Sequence, residues 1–149
     1  MDLMPHLWIS TAFDLQVTMV LYEVLRLYTP VTAIHRETYK PMELGGVRYP
    51  AGVVLMLPLL CVHHDKEVWG ADADEFRPER FLDEESNVDA TVGGKVDFRF
   101  LPFGVGRRSC PGTILALPIL ALVVGKLMRS FEMVPPPGVD KLDVSEKGG

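Results

Sequence analysis

The sequence predicts a mainly helical α+β fold, with a small β-hairpin region between two helices and a cysteine loop before the last helix. Three observations indicate this class. Apolar residues recur at helical spacing over 10–27, a Gly45-Gly46 pair lies among short extended pieces, and residues 113–131 are strongly apolar. The chain has 149 residues, 48% of them apolar, which suits one globular domain with a modest core.

The first half of the chain predicts a helix followed by a hairpin. We expect the helix from Ser10 to Leu27, because its apolar residues recur at helical spacing and Pro30 marks its end. Short extended pieces follow around 34–39 and 43–49. The Gly45-Gly46 pair supplies the hairpin turn.

The second half contains two apolar runs and a long irregular segment. A strand passing into a short helix is expected over 53–62, and an apolar helix over 113–131. Both apolar runs, 53–62 and 114–124, are predicted to be buried core elements. Each falls short of the ~20 residues that a membrane span needs, so no transmembrane helix is predicted. Residues 63–103 are rich in charge, Pro and Gly, and irregular segments of this length are usually functional.

Charge and cysteine content exclude some classes of function. The net charge of −5 disfavours nucleic acid as a partner, because binding to phosphates needs a basic surface. The two cysteines, Cys61 and Cys110, are too few for a disulfide framework, which fits a reducing compartment. Residues 1–10 have neither the basic part nor the long apolar part of a signal peptide.

The most informative stretch is the glycine-rich segment from Phe103 to Gly112. Its glycines permit positive φ angles and let a flat ligand approach the backbone closely. Pro111 suits the first position of a helix, which would place Cys110 just before the helix N-terminus, where partial positive charge favours a thiolate. A thiolate beside Arg107 and Arg108 is a candidate metal ligand.

These residues alone leave other roles for the cysteine open. Cys110 could be a buried, inert cysteine in a glycine-rich turn. A zinc site is disfavoured, because no C-x-x-C or histidine pair at finger spacing supplies the other ligands. A cysteine nucleophile needs an orienting histidine, and His63 or His64 could reach it only through the fold.

The pattern Phe103-x-x-Gly106-x-Arg108-x-Cys110-x-Gly112 resembles the haem-binding signature of cytochromes P450 at all five defined positions. The resemblance implies haem b as cofactor and Cys110 as the axial thiolate ligand of its iron. It implies that Arg108 pairs with a haem propionate and that Phe103 packs beside the porphyrin and shields the sulfur.

Further motifs resemble the same family. Glu23-x-x-Arg26, with Arg80 of a Pro-x-Arg-Phe motif, resembles the family's structural triad, which is a buried ion network. Arg36 corresponds to a second propionate-binding arginine. The resemblance places the substrate-contact candidates after the first helix, at Val31, Thr32, Ala33 and Ile34.

By this resemblance the sequence is that of a haem-thiolate monooxygenase, which inserts one oxygen atom of O2 into a small organic substrate. The implied electron donor is NADPH-cytochrome P450 reductase, and the implied location is the cytosolic face of the endoplasmic reticulum membrane. We find no counterpart of the family's membrane anchor or of its distal oxygen-activating helix. We therefore expect a marginally stable chain that is incomplete as a catalyst alone. A non-catalytic haem-binding fragment and a non-functional relic remain alternatives.

The chain is expected to be one partial P450 haem domain over 1–149, but a mosaic. Residues 17–70 resemble plant P450s of the brassinosteroid-inactivating type. Residues 83–149 resemble plant trans-cinnamate 4-hydroxylases, which favours para-hydroxylation of trans-cinnamate. The apparent joint falls near 76–81, in a motif that both groups share.

Overall fold

The computed structural model describes residues 5–82 and 96–138, with side chains from Leu15 onward. The helices and strands follow in this order: α1 (Pro5–Leu27), β1 (Ile34–Glu37), β2 (Met42–Leu44), β3 (Val47–Tyr49), β4 (Val54–Leu57), α2 (Leu59–His63), α3 (Lys66–Trp69) and α4 (Thr113–Ser130). Two 3₁₀ turns, Pro78–Phe81 and Gly106–Arg108, lie between α3 and α4. This mixture of helices and small antiparallel sheets agrees with the α+β class.

The helices extend close to their predicted limits. The helix predicted from Ser10 begins five residues earlier, at Pro5, and ends at Leu27 as expected. The last helix begins at Thr113 and ends at Ser130, one residue before the predicted end. The apolar run after residue 52 is a strand passing into a short helix, as predicted, because Pro58 separates β4 from α2.

The strands form two separate two-stranded antiparallel sheets. Strands β2 and β3 are a hairpin in which Glu43 faces Arg48. Its turn residues, Gly45 and Gly46, have φ angles of 58° and 76°, which glycine adopts without a steric penalty. Strand β1 pairs with β4, so that Arg36 faces Leu55.

The apolar core lies where α1 meets the irregular segments before and after residues 83–95. Its buried residues are Trp69, Ala73 and Phe100, and Tyr22, Leu25 and Phe81 pack against them. The ring centroids of Phe81 and Phe100 are 5.3 Å apart, and those of Tyr22 and Phe81 are 5.6 Å apart in an edge-on arrangement. Such aromatic pairs stabilise a core beyond the area they bury.

The prediction that both apolar runs are buried is wrong. In the first run Leu59 is fully buried, but Met56 is 63% exposed. In the second run Ile114 is 67% exposed, and within α4 the buried residues are Thr113 and Gly125. The physical reason is that apolar composition records a preference for burial, whereas burial itself needs a covering layer, and no described element covers these faces.

Helix α4 also differs from the expectation about membrane spans. Its 18 residues have a mean hydropathy of 1.7, so by length and composition alone it could cross a bilayer. The prediction considered only the run over 114–124, whereas the helix continues to Ser130. The core helix of a soluble protein satisfies the same criterion but is mostly buried, whereas α4 is largely exposed although it contacts α1.

A buried carboxylate joins α1 to the irregular segment. Glu23 and Arg26 are both 0% exposed, and the guanidinium of Arg26 donates two hydrogen bonds of 2.8 Å to the two carboxylate oxygens. Arg80 donates a third, of 3.0 Å, and the backbone N–H of Arg77 donates a fourth, of 2.9 Å. The structure thus brings together the three residues predicted as a triad.

The two guanidinium groups also bind backbone carbonyls. Arg26 donates hydrogen bonds of 2.7 Å to the carbonyls of His63 and Ala73. Arg80 donates bonds of 3.1 and 3.0 Å to the carbonyls of Trp69 and Asp72. Among the described residues, no buried side-chain nitrogen or oxygen lacks a partner. The network therefore meets the condition under which buried charges are tolerated in a core.

The network keeps Glu23 ionised. Burial by itself would raise the pKa of this carboxyl, but the hydrogen bonds from Arg26, from the backbone N–H of Arg77 and from Arg80 outweigh burial. The pKa of Glu23 is therefore below its ordinary value.

His63 is a fully buried histidine at the end of α2. Its Nδ1 lies 2.6 Å from the hydroxyl of Thr29, and its Nε2 accepts a 2.9 Å hydrogen bond from the backbone N–H of Leu101. Burial, together with the positive charge of Arg26 and the proximity of His64, lowers the pKa of His63 to about 4. The ring is therefore neutral at neutral pH.

Replacing the central carboxylate tests the ion network. Glu23→Gln leaves the buried guanidinium of Arg26 without its counter-charge and leaves Arg80 only the Asp72 carboxylate at 3.5 Å, and we expect the free energy of unfolding to fall by about 3–5 kcal/mol. Urea unfolding followed by circular dichroism measures the change. The matched control is Asp74→Asn, which removes an exposed carboxylate that lies 2.9 Å from Lys66 and 3.1 Å from His64 and should leave the free energy of unfolding close to that of the native chain. Equal losses in the two variants would contradict a special role for Glu23.

Acidification tests the state of His63. Because the pKa of His63 is about 4 in the folded chain against an ordinary value of 6.5, the unfolded chain binds more protons between these limits. Stability should therefore fall by about 2 kcal/mol as the pH decreases from 6.5 to 4.5. The Glu23 contribution is lost only at lower pH, since its pKa is below 4.5. Urea unfolding across this range should show the loss in the native chain and not in His63→Gln.

Candidate functional site

The segment before α4 folds back on itself through backbone hydrogen bonds. The N–H of Cys110 donates a 2.8 Å hydrogen bond to the carbonyl of Phe103. Gly104 and Gly106, between them, have φ angles of 70° and 77°. A Cβ atom at Gly104 would lie 3.4 Å from Cδ1 of Ile34, which is an ordinary van der Waals contact, so glycine is favoured here by the positive φ angle and not by lack of space.

Cys110 lies two residues before the N-cap of α4, which is Gly112. The expectation that Pro111 occupies the first helical position is wrong. The carbonyl of Gly112 accepts the helical N–H of Ala116, so the helix starts at Thr113. The hydroxyl and N–H of Thr113 both donate to the carbonyl of Cys110, at 2.9 and 3.5 Å. These bonds fix the backbone of Cys110 at the N-terminal end of α4.

The cysteine is free and exposed rather than buried and inert. Neither histidine considered as an orienting base bonds to its sulfur. The ring nitrogens of His63 bond to Thr29 and Leu101, and those of His64 lie 3.1 Å from the Leu27 carbonyl and from the Asp74 carboxylate. This geometry disfavours the cysteine-nucleophile alternative.

Cys110 lines a cavity of about 420 Å³ between the loop and the segment that follows α1. Of the predicted cofactor-binding residues, Phe103, Arg108 and Arg36 line the same cavity. Of the predicted substrate-contact residues, it is lined by Val31, Ala33 and Ile34. The structure thus brings together residues that are up to about eighty positions apart in the sequence.

Three predicted residues do not line the cavity. Gly106 and Gly112 contribute to the shape of the loop, and the carbonyl of Thr32 accepts a 3.2 Å hydrogen bond from the N–H of Leu60. That bond links the segment after α1 to α2, so Thr32 has a structural contact rather than a place in the cavity wall.

Part of the cavity wall was not predicted from the sequence. The additional lining residues are Leu25, Pro30, Leu59, Pro102 and Gly104. The apolar side chains among these carry no signal in the sequence that separates a cavity wall from an ordinary core. Pro102 and Gly104 could have been predicted, because they flank Phe103 of the cysteine motif.

The chemistry of the wall suits haem. The cavity is mainly apolar, which suits a flat macrocycle, and the guanidinium groups of Arg36 and Arg108 can bind carboxylates. Cys110 supplies the single sulfur ligand of a haem-thiolate centre. The described residues contain no group of three or more His, Cys, Asp or Glu side chains that could hold a metal ion by themselves. An iron bound at Cys110 would therefore take its remaining ligands from the cofactor.

Comparisons with known proteins agree with these motifs. The model of the family described as Cytochrome P450 matches residues 16–149. The chain is 48% identical over 125 residues to a trans-cinnamate 4-monooxygenase of Zinnia elegans, and 49% identical over 125 residues to one of Catharanthus roseus. Each match covers 84% of this chain and 24% of the relative, so the chain spans about a quarter of the length of these relatives.

These matches extend across the predicted joint near 76–81, because the segment from residue 83 to the C-terminus is only about half as long as the match. Because a single identity value covers both sides of the joint, it does not test whether the two halves resemble different relatives, and the mosaic stays a prediction. The family match, in contrast, covers nearly the whole chain, including both the Glu23–Arg26 pair and the cysteine loop. This chain belongs to the cytochrome P450 family.

Proposed function

We propose that this chain carries the cysteine-ligated haem site of a P450 monooxygenase. The observation that supports it most is the shared cavity, in which Cys110 lies with two arginines and Phe103 within an otherwise apolar wall. A thiol can bind the iron of haem b, two guanidinium groups can bind its propionates, and an apolar wall suits its macrocycle.

In this proposal each residue has a separate role. The Cys110 thiolate would hold the haem iron, and Arg108 and Arg36 would bind the propionates. Phe103 packs beside the porphyrin and shields the sulfur from water, while the small residues Gly106 and Gly112 let the loop approach the ring. Haem, when bound, supplies the chemistry of O2 activation.

The remaining residues hold this arrangement in place. The Glu23, Arg26 and Arg80 network fixes α1 against the carbonyls of the segment from Trp69 to Ala73. Because α1 leads directly into the cavity wall at Pro30 and Val31, the network also fixes one side of the site. Its role in the proposal is structural and not catalytic.

The proposed reaction is insertion of one oxygen atom into a small organic substrate, with electrons from NADPH-cytochrome P450 reductase at the endoplasmic reticulum membrane. The relatives are named trans-cinnamate 4-monooxygenases, which supports trans-cinnamate as substrate and its para position as the site of hydroxylation. Val31, Ala33 and Ile34 are the candidate substrate contacts.

A second candidate is a non-catalytic haem-binding chain. It is favoured by the exposure of Cys110 and of one side of α4, since an active monooxygenase must exclude water from its reaction. Incubation of the haem-loaded chain with reductase, NADPH and trans-cinnamate separates the two. Formation of 4-hydroxycinnamate supports the monooxygenase, and a thiolate-ligated spectrum without product supports the second candidate.

The two cysteines provide a matched test of the iron ligand. We expect the chain reconstituted with haemin, then reduced and treated with CO, to show the long-wavelength Soret band of thiolate-ligated haem. Cys110→Ala should abolish this band, because no other described side chain in the cavity offers a thiolate. Cys61→Ala should leave it unchanged, since Cys61 does not line the cavity.

Persistence of the band in Cys110→Ala would disprove the assignment of the ligand. A native chain that stays colourless with haemin would disprove the proposed function as a whole and leave the relic as the remaining reading.

The adjacent arginines provide a second test. Arg108 lines the cavity, whereas its neighbour Arg107 does not. We expect Arg108→Leu to weaken haemin binding by about tenfold or more, the effect of losing one charge-assisted hydrogen bond. Arg107→Leu removes the same charge and should change the dissociation constant less than about twofold. Haemin titration followed by absorbance measures both, and equal losses would show that only net charge matters.

A further inference from the structure

The environment of His63 assigns its proton. A backbone N–H can only donate, so the Nε2 atom that bonds to Leu101 is the unprotonated acceptor, and Nδ1 carries the proton. Nδ1–H then donates to the hydroxyl of Thr29. The Thr29 hydroxyl donates in turn to the carbonyl of Arg26, at 2.8 Å. The bonds run in one direction from Leu101 through the ring into the end of α1.

Leu101, at the other end of this series of hydrogen bonds, begins the turn that leads towards Cys110. Leu101 is buried, and its carbonyl accepts a 3.0 Å hydrogen bond from the N–H of Gly104. Both polar backbone groups of Leu101 are thus held, one by His63 and one by the turn. Phe103, inside this turn, accepts the N–H of Cys110 at 2.8 Å.

We propose that His63 is a positioning residue for Cys110, acting through Leu101 and the 101–104 turn. The ring sets the distance between the end of α1 and the turn, and the Phe103 carbonyl transmits this position to the cysteine backbone. The inference deepens the proposed function and rests on it, because it says what holds the proposed iron ligand in place.

The location of His63 supports this role over a purely local one. It lies at the junction of three segments: its carbonyl accepts from Arg26 of α1 at 2.7 Å, and its ring lies 5.7 Å from that of Phe100. The charged or titratable groups that shift the pKa of His63 are Arg26 and His64. No other described side chain bonds to the backbone N–H of Leu101.

Two amide substitutions separate the two ring nitrogens. The side-chain oxygen of Gln reaches the position of Nε2, so His63→Gln can still accept from Leu101. The shorter Asn reaches only the position of Nδ1, so His63→Asn keeps the contact with Thr29 and loses Leu101. Thr29→Val leaves the histidine intact and removes the hydroxyl that orients it.

The first measurement is the spectrum of the reduced, CO-bound, haem-loaded chain. We expect the ratio of thiolate-ligated to thiolate-free haem to fall roughly fivefold in His63→Asn, the population ratio that one ordinary hydrogen bond sustains. Thr29→Val should lower it less, and His63→Gln should stay close to the native chain. A role in stability alone would leave the ratio unchanged in the folded fraction of every variant.

The second measurement does not depend on haem. Amide hydrogen exchange of the haem-free chain should become faster at Leu101 and Cys110 in His63→Asn, and less so in His63→Gln. Should His63→Asn fail to fold, the comparison of Thr29→Val with His63→Gln provides the same test. Unchanged Cys110 exchange in His63→Asn and in Thr29→Val would overturn the positioning role. If the native chain shows no thiolate band while the variants show the expected changes in exchange, the proposed function is disproved and the positioning role is retained.

Discussion

The buried carboxylate of Glu23 is the interaction on which the rest of the structure depends. It accepts hydrogen bonds from two guanidinium groups and one backbone N–H, and each guanidinium then binds carbonyls of a segment with little regular structure. A loop that is buried must satisfy its backbone polar groups without a ladder or a helix. Here Arg26 and Arg80 satisfy them, so the irregular segment is fixed against α1 by side chains.

Polar and apolar interactions are completed to different extents in this chain. Every buried side-chain nitrogen and oxygen in the described part has a partner, whereas large apolar faces on α4 and β4 are exposed. Hydrogen bonds are short and directional, so a few neighbouring segments suffice to complete them. Apolar burial needs area, and the described segments cover little of these faces. The site therefore has a rigid polar support and an open apolar surround.

Much of the fold followed from local patterns. The hairpin at Gly45-Gly46 and both long helices were predicted, because a two-residue glycine turn and helical periodicity are properties of neighbouring residues. The helix starts were predicted less well. The first turn of α1 contains no acidic residue to signal its beginning at Pro5, and Pro111 suggested a start two residues before the true one at Thr113.

The sequence by itself determined the family, the candidate ligand Cys110 and the two arginine partners of Glu23, since each belongs to a motif that resembles one of the family's. Only the tertiary structure decided which apolar residues line the cavity and which are exposed, because the choice depends on the segment that lies opposite. It also decided the place of His63, whose bonds to Thr29 and Leu101 join positions more than thirty residues away on either side. No local pattern encodes such a contact, because it exists only once the chain has folded.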